Sequence, residues 1–271
     1  MRLGYMTNAW GSVVGHCAGV TSVKDLFYLS TGSTKDAVSA ISKAGFGMIE
    51  IFDGNLMQYS QNKKEFTELL KSNNLSLLAV YSGANFIYEQ IIEEEFYKIE
   101  QAAKIAGELG AKHLVLGGGA IRSKGIREED YNMLAKGLDR VIEVSKKYNL
   151  IASYHPHLGT IVQKPDQLDK LMPLTKINLC PDTGHVEAGG GNSVKVVEEY
   201  KDRIKYIHLK DYDSGKVLPL GKGKIEFEKI VNILEKNGFK GEYTVEADGY
   251  EGTPEEAAKE SYLYLKRFGL K

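Results

Sequence analysis

The feature that most constrains the fold of this chain is a regular alternation of short apolar runs with longer amphipathic segments. Each run is β-branched, aromatic or leucine-rich and too short to be a helix, which is typical of buried parallel strands. Eight runs are spread along the 271 residues: Leu3–Met6, Met48–Phe52, Ser76–Tyr81, His113–Leu116, Ile151–Tyr154, Ile177–Cys180, Tyr206–Leu209 and Tyr243–Glu246.

Segments with helical periodicity lie between these runs. The clearest begin at a capping residue or proline and end near a glycine or a pair of lysines, as helices commonly do. The predicted helices are Thr34–Ala44, Glu93–Leu109, Glu128–Tyr148, Phe227–Glu235 and Pro254–Phe268.

Eight strands that alternate with helices predict a parallel sheet, and the chain is close to the roughly 250 residues of a (β/α)8 barrel. An open doubly wound sheet usually has fewer strands and a glycine-rich phosphate turn after the first one. Here the first strand is followed by TNAWGSVVGHCAG, which lacks that fingerprint. We therefore expect a closed α/β barrel that forms one domain, residues 1–271, because no change in composition indicates a second.

One connection is unusually long. Asn8–Ser33 separates the first strand from the first helix and contains Trp10. Long loops in compact domains are usually functional, and this one leaves the carboxyl end of a strand, where barrel active sites lie. We predict that residues 8–33 form a lid or wall of the pocket and that Trp10 contacts the substrate. A merely decorative insertion is the alternative.

Composition narrows the function classes. Lys+Arg of 35 against Asp+Glu of 36 gives a net charge of -1, so there is no general basic footprint for nucleic acid. The two cysteines match no disulfide framework, no apolar signal segment begins the chain, and no run is long enough to span a membrane. We expect a cytoplasmic protein with a small-molecule substrate; a homo-oligomer is compatible with the sequence, but no interface patch can be named.

Histidine and carboxylate side chains recur at the ends of the last four strands. His155 follows the fifth strand, Asp182 the sixth, His208 lies in the seventh and Glu246 ends the eighth. In a closed barrel these ends are neighbours on one rim. Each residue alone also fits a turn, a cap or an ion pair, but their recurrence predicts one mixed nitrogen and oxygen site for a divalent ion, with Mn²⁺ or Co²⁺ expected and Zn²⁺ or Mg²⁺ as alternatives.

Other polar residues are expected near the same rim. Glu50 ends the second strand and is predicted to hold a substrate hydroxyl, with a structural ion pair as the alternative. His157 and His185 each lie a few residues beyond a proposed ligand, so both are predicted to touch substrate. Lys210 shares a strand face with His208, where it could stabilise an oxyanion or donate a proton.

Several motifs resemble the xylose-isomerase-like barrel superfamily of sugar isomerases, sugar epimerases and AP endonucleases. They are DTGH at Asp182–His185, HLKD at His208–Asp211, LGKGKIEF at Leu220–Phe227 and VEAD at Val245–Asp248. The segment YHPHLGTIVQ at Tyr154–Gln163 is similar to inosose dehydratases, which dehydrate 2-keto-myo-inositol.

The resemblance implies a fold, a metal and a reaction class. Position by position, the superfamily's ligands fall on His155, Asp182, His208 and Glu246. Ketose 3-epimerases carry a glutamate where this chain has His155, and that glutamate is one of their two bases. An imidazole bound to a metal cannot easily replace it. Elimination needs one base beside a carbonyl and one acid, so the resemblance favours a lyase in which Glu246 is the base and Lys210, His157 or His185 the acid.

Three alternatives remain at the level of sequence. A sugar isomerase or epimerase would use the same site and return the proton. An AP endonuclease would need further ligands, but the third and fourth strands end in AVYSGANF and LVLGGGAI, without histidine or glutamate at the tip. A non-catalytic sugar-binding barrel would take up no divalent ion.

Overall fold

The computed structural model describes residues 3–10, 23–24 and 27–270. Eight parallel strands form its centre, and each coincides with a run predicted from the sequence. They are β1 (Leu3–Met6), β2 (Met48–Phe52), β3 (Ser76–Gly83), β4 (His113–Gly117), β5 (Ile151–His155), β6 (Asn178–Leu179), β7 (Tyr206–Leu209) and β8 (Glu242–Val245).

The sheet follows chain order and closes on itself. β1 pairs with β2 on one side and with β8 on the other, so that Gly4 lies opposite both Met48 and Thr244. Between β6 and β7 the hydrogen bonding is reduced to two isolated parallel bridges, Leu179–Ile204 and Asp182–His208. The expected (β/α)8 barrel is confirmed.

Helices surround the barrel and bury their apolar faces against it. Ser33 caps the first of them by accepting the Asp36 backbone N–H, and Gly45 ends it with a positive φ of 111° that favours glycine. The outer helices are α1 (Thr34–Ala44), α2 (Lys63–Ser72), α3 (Ile92–Glu108), α4 (Glu128–Lys147), α5 (Pro165–Leu171), α6 (Ser193–Tyr200), α7 (Phe227–Lys236) and α8 (Pro254–Lys266).

Smaller elements lie at the carboxyl ends of the strands. Short helices span Asp53–Met57 and Thr183–Ala188, and a hairpin pairs Asp211–Asp213 with Lys216–Leu218. Among the described residues, no helix combines the length and apolarity required to cross a membrane.

The predicted long loop is only partly a loop. It contains the helical turn Thr7–Ala9 and an antiparallel pair of Val23–Lys24 with Phe27–Tyr28. Residues 11–22 and 25–26 lie outside the described part of the chain, and the prediction of a lid is left open there.

Candidate metal centre and active site

The four predicted ligands meet at one mouth of the barrel. His155 ends β5, His208 lies in β7 and Glu246 directly follows β8, while Asp182 caps the Thr183–Ala188 helix by accepting the His185 backbone N–H at 2.6 Å. All four side chains are buried, and one candidate ligand atom from each lies within 4.8 Å of the others.

The four-residue cluster contains buried polar atoms that lack a hydrogen-bond partner. Both ring nitrogens of His155 and Oδ2 of Asp182 are in this condition. Leaving such an atom unpaired typically costs about 1–3 kcal/mol, so a native structure rarely keeps several together without a ligand. One ring nitrogen of His155 and Oδ2 of Asp182 each have a lone pair available to a cation.

Charge in the surroundings points the same way. Three buried carboxylates, Asp182, Glu246 and Asp248, lie within 3.5 Å of the buried ammonium of Lys210, and a fourth, Glu50, lies beside His208. Buried charges are normally paired or bound to metal, and this set has more negative than positive groups. A divalent cation within the cluster would offset the excess.

Burial sets the protonation states that this chemistry needs. It depresses the pKa of His155 well below its ordinary value, and nearby His208 lowers it further, so that His155 presents neutral nitrogens. Burial also raises the pKa of the neighbouring Cys180 thiol to about 11, which keeps that sulfur protonated at neutral pH. The four-residue cluster offers imidazole and carboxylate donors, which hard and borderline divalent ions prefer, and the Cys180 thiol lies within reach of His155 and His208.

Glu50 lies in β2, as predicted, and its contacts bear on the two roles left open for it. It is fully buried, its Oε2 accepts from the Tyr206 hydroxyl at 2.6 Å, and the same oxygen lies 2.9 Å from Nε2 of His208. The other ring nitrogen of His208, Nδ1, faces Glu246 Oε2 at 2.7 Å. The contacts of Glu50 thus match the alternative, a structural pair, and they orient the His208 ring.

Three further predicted residues converge beside the cluster. The rings of His157 and His185 are 3.8 Å apart between centroids, and Nζ of Lys210 lies 3.0 Å from Nε2 of His185. Burial lowers the pKa of His157 to about 4. Two neutral imidazoles and an ammonium therefore adjoin the proposed metal position.

A second group of side chains could also hold a metal ion. It consists of three histidines whose donor atoms lie within 4.8 Å of one another, His155, His157 and His185. The ammonium of Lys210 already lies against His185 on this side. A cation there would be repelled by it, so the geometry favours the four-residue cluster as the metal centre.

Trp10 is not brought into the site by its described contacts. Its ring packs against Tyr5 at a centroid distance of 5.6 Å, and Nε1 donates to Glu255 Oε1 at 2.9 Å. These contacts hold it near the start of α8. A substrate contact by Trp10 stays a prediction.

Two residues that sequence reasoning did not single out belong to the site. Asn8 is buried and its side-chain amide donates to Glu246 Oε1 at 3.0 Å. Asp248 lies 2.6 Å from the Lys210 ammonium. Asp248 had a signal, since it shares the VEAD segment with Glu246; Asn8 had only its place after the first strand.

The last part of the long connection between β1 and α1 is held by hydrogen bonds at the other side of the barrel mouth. The Tyr28 backbone N–H donates to the Asp53 carboxylate at 2.6 Å, and Asn55 exchanges two hydrogen bonds with the Ser30 backbone at 2.8 and 2.9 Å. Tyr28 packs on Tyr81, whose ring lies 5.4 Å from that of His155. An aromatic wall therefore faces the cluster.

Fold and site together define a barrel with a polar, metal-suited mouth, and sequence comparison gives its family. The chain belongs to the xylose isomerase-like TIM barrel family, whose pattern matches residues 38–268.

Individual relatives narrow the resemblance. The chain is 28% identical over 268 residues to an inosose dehydratase of Clostridium perfringens, covering 86% of this chain and 89% of that protein. It is 26% identical over 248 residues to an inosose dehydratase of Bacillus thuringiensis, covering 79% and 82%.

Solved structures share the fold at lower identity. A probable 3-DHS dehydratase of Bacillus anthracis superimposes with a TM-score of 0.75 at 15% identity, covering 98% of this chain and 99% of that one. A 3-keto-D-glucoside 4-epimerase of E. coli gives 0.72 at 16%, covering 99% of both chains. A structure titled IOLI protein with a binding zinc atom gives 0.73 at 17%, covering 99% and 96%.

Proposed function

We propose that this protein is a divalent-metal-dependent lyase that removes water from a keto-cyclitol or keto-sugar, with 2-keto-myo-inositol as the first candidate substrate. The observation that carries the proposal is His155, a neutral buried imidazole with two unpartnered nitrogens at the position where related epimerases use a glutamate base. The relatives named inosose dehydratase support the same reaction.

We infer that His155, Asp182, His208 and Glu246 hold the ion, with Mn²⁺ or Co²⁺ preferred over Zn²⁺ and Mg²⁺. When bound, the ion would supply a Lewis acid for the carbonyl oxygen of the substrate. The protein would contribute the orientation of the ligands, chiefly through Glu50 behind His208 and Asn8 beside Glu246.

The proton transfers fall to side chains around the cluster. In the proposed reaction Glu246, or a histidine beside it, takes the proton from the carbon next to the carbonyl. The electrons of that C–H bond form the new double bond as the neighbouring C–O bond breaks. Lys210, already an ammonium, donates a proton to the departing hydroxyl, which leaves as water; His157 or His185, neutral in the resting site, would do so only after taking up a proton.

The direct test is an assay of 2-keto-myo-inositol with metal-depleted protein, before and after addition of Mn²⁺ or Co²⁺. We expect formation of the unsaturated product only with metal, and its abolition in His155→Gln. The matched control is His113→Gln, because His113 is also a buried histidine but bonds to Glu242 at the amino-terminal ends of the strands. No loss of water from saturating substrate would contradict the proposal.

Epimerisation is the second candidate, supported by the sugar epimerases among the structural neighbours. The two reactions share the first proton abstraction and differ in its outcome. Reaction in D₂O separates them, since a deuterated stereoisomer indicates an epimerase and an unsaturated product indicates a lyase.

A further inference from the structure

Asp248 is the nearest carboxylate to the Lys210 ammonium. The distance from Nζ is 2.6 Å to Asp248, against 3.4 Å to Glu246 Oε1 and 3.5 Å to Asp182 Oδ2. Both members of the closest pair are almost fully buried, at 4% and 2% exposure. The Lys210 ammonium therefore lies closer to Asp248, which is not a proposed metal ligand, than to the proposed ligands Asp182 and Glu246.

The DTGH segment, Asp182–His185, contacts the backbone, the aliphatic stem and the ammonium of Lys210. The Thr183 hydroxyl accepts from the Lys210 backbone N–H at 2.9 Å and donates to its carbonyl at 2.8 Å. A Cβ at Gly184 would lie 2.7 Å from Cγ of Lys210, so only glycine leaves room for the stem. His185 then contacts the ammonium at 3.0 Å. Three successive residues thus fix the backbone, stem and head of one side chain.

A cavity opens beside this ammonium. It has a volume of about 380 Å³ and is lined by Lys210, Asp248 and His185 together with apolar and backbone surface from Leu158, Gly184 and Val217. Small-molecule sites usually enclose about 300–1,000 Å³. A molecule that extends from the cluster into this cavity would meet the Lys210 ammonium directly.

An ammonium this close to two metal ligands is also a competitor for them. Removing the charge of Asp248 would leave Lys210 with Asp182 and Glu246 as its nearest anions, and the resulting ion pairs would oppose binding of a divalent cation. Asp248 and metal binding therefore favour each other. Asp248 binds the Lys210 ammonium, and Asp182 and Glu246 are left for the metal ion.

We propose that Asp248 is a positioning residue that holds Lys210 between the metal centre and the cavity. Held there, Lys210 faces an oxygen of the substrate and leaves Asp182 and Glu246 to the metal. The substrate contact rests on the proposed reaction; the effect on metal binding rests only on the proposed metal centre.

The test is calorimetric titration of metal-depleted protein with Mn²⁺, without substrate, for the wild type, Asp248→Asn, Lys210→Met and the double variant. We expect Asp248→Asn to bind Mn²⁺ at least about tenfold more weakly, Lys210→Met to bind at least as tightly as the wild type, and the double variant to match Lys210→Met. Glu251→Gln, an exposed carboxylate of the same loop paired with Lys216, should leave the affinity unchanged.

Three results would overturn the proposal: unchanged affinity in Asp248→Asn, a double variant as weak as Asp248→Asn, or weakened binding in Lys210→Met. The last of these is informative even if Asp248→Asn does not fold, because Lys210→Met is measured by itself. Failure to dehydrate 2-keto-myo-inositol would refute the proposed function and leave this titration unaffected.

Discussion

At the scale of single residues, the site depends on side chains that do not coordinate the metal themselves but orient the residues that would. Glu50 connects Tyr206 to His208, so a carboxylate fixes which ring nitrogen of His208 faces Glu246. Such partners of metal-bound histidines set the orientation and basicity of the ring. The sequence placed Glu50 near the rim and left substrate binding and a structural ion pair both open, because nothing in a strand reveals which buried partner lies across the barrel.

We expect Glu50→Gln to weaken Mn²⁺ binding by about 10- to 100-fold in calorimetry, since the amide keeps the shape but loses the charge that supports His208. The matched control is Glu242→Gln, which alters an equivalent buried glutamate bonded to His113 at the opposite end of the barrel. That variant should lose stability and keep its metal affinity. Equal metal affinities for Glu50→Gln and the wild type would show that Glu50 does not support the ligand.

At the scale of elements, the strands were predictable and several helices were not. Each strand except β6 has four or more residues, nearly all buried, which gives an apolar run that sequence displays directly. The missed helices α2, α5 and α6 each bury only two or three residues, such as Phe66 and Leu70 in α2. So few buried positions leave little periodicity to detect.

The LGKGKIEF segment shows a related limit. Its glycines, Gly221 and Gly223, lie just before α7 and donate to a carboxylate. Asp211 of HLKD accepts the backbone N–H groups of Gly221 and Gly223 at 2.8 Å each and of Ile225 at 3.4 Å. The motif spacing was visible in the sequence, but the hydrogen bonds that join the two motifs were not.

We expect Asp211→Ala to lower the free energy of unfolding by about 3 kcal/mol, because four backbone donors, those of Tyr212, Gly221, Gly223 and Ile225, lose their acceptor. Urea denaturation measures the change. Asp213→Ala is the comparison, since Asp213 lies in the same hairpin but forms a solvent-screened pair with Lys224, and its loss should change stability far less. Similar losses in the two variants would argue against the Asp211 anchor.

At the scale of the molecule, the closed barrel explains why residues remote in sequence could be grouped in advance. Asn8 and Glu246 are 238 positions apart and form a hydrogen bond because β1 and β8 are neighbours. Strand order alone placed the four proposed ligands on one rim. It could not supply the side-chain directions that pack Trp10 against Tyr5 or place Asp248 beside Lys210.

We expect Mn²⁺ to stabilise the whole barrel, because an ion that binds only the folded state shifts the equilibrium toward it. At a concentration one hundred times the Kd the gain is about 2.7 kcal/mol, which for a protein of this size raises Tm by roughly 5–10 °C. Thermal unfolding with and without Mn²⁺ measures this. Asp182→Asn should abolish the increase and Asp202→Asn, at an exposed position, should retain it; an increase preserved in Asp182→Asn would place the ion elsewhere.

The two bridges between β6 and β7 give the proposed ion a mechanical consequence. Asp182 and His208 form one of those bridges, so a metal held by both would span the junction where the sheet has fewest hydrogen bonds. Loss of the ion would then free this junction first, and the barrel could exchange its metal by opening locally along one seam while the other strand pairs stay intact. The rate of metal exchange would therefore depend on the local stability of the β6–β7 junction and not on the stability of the entire fold.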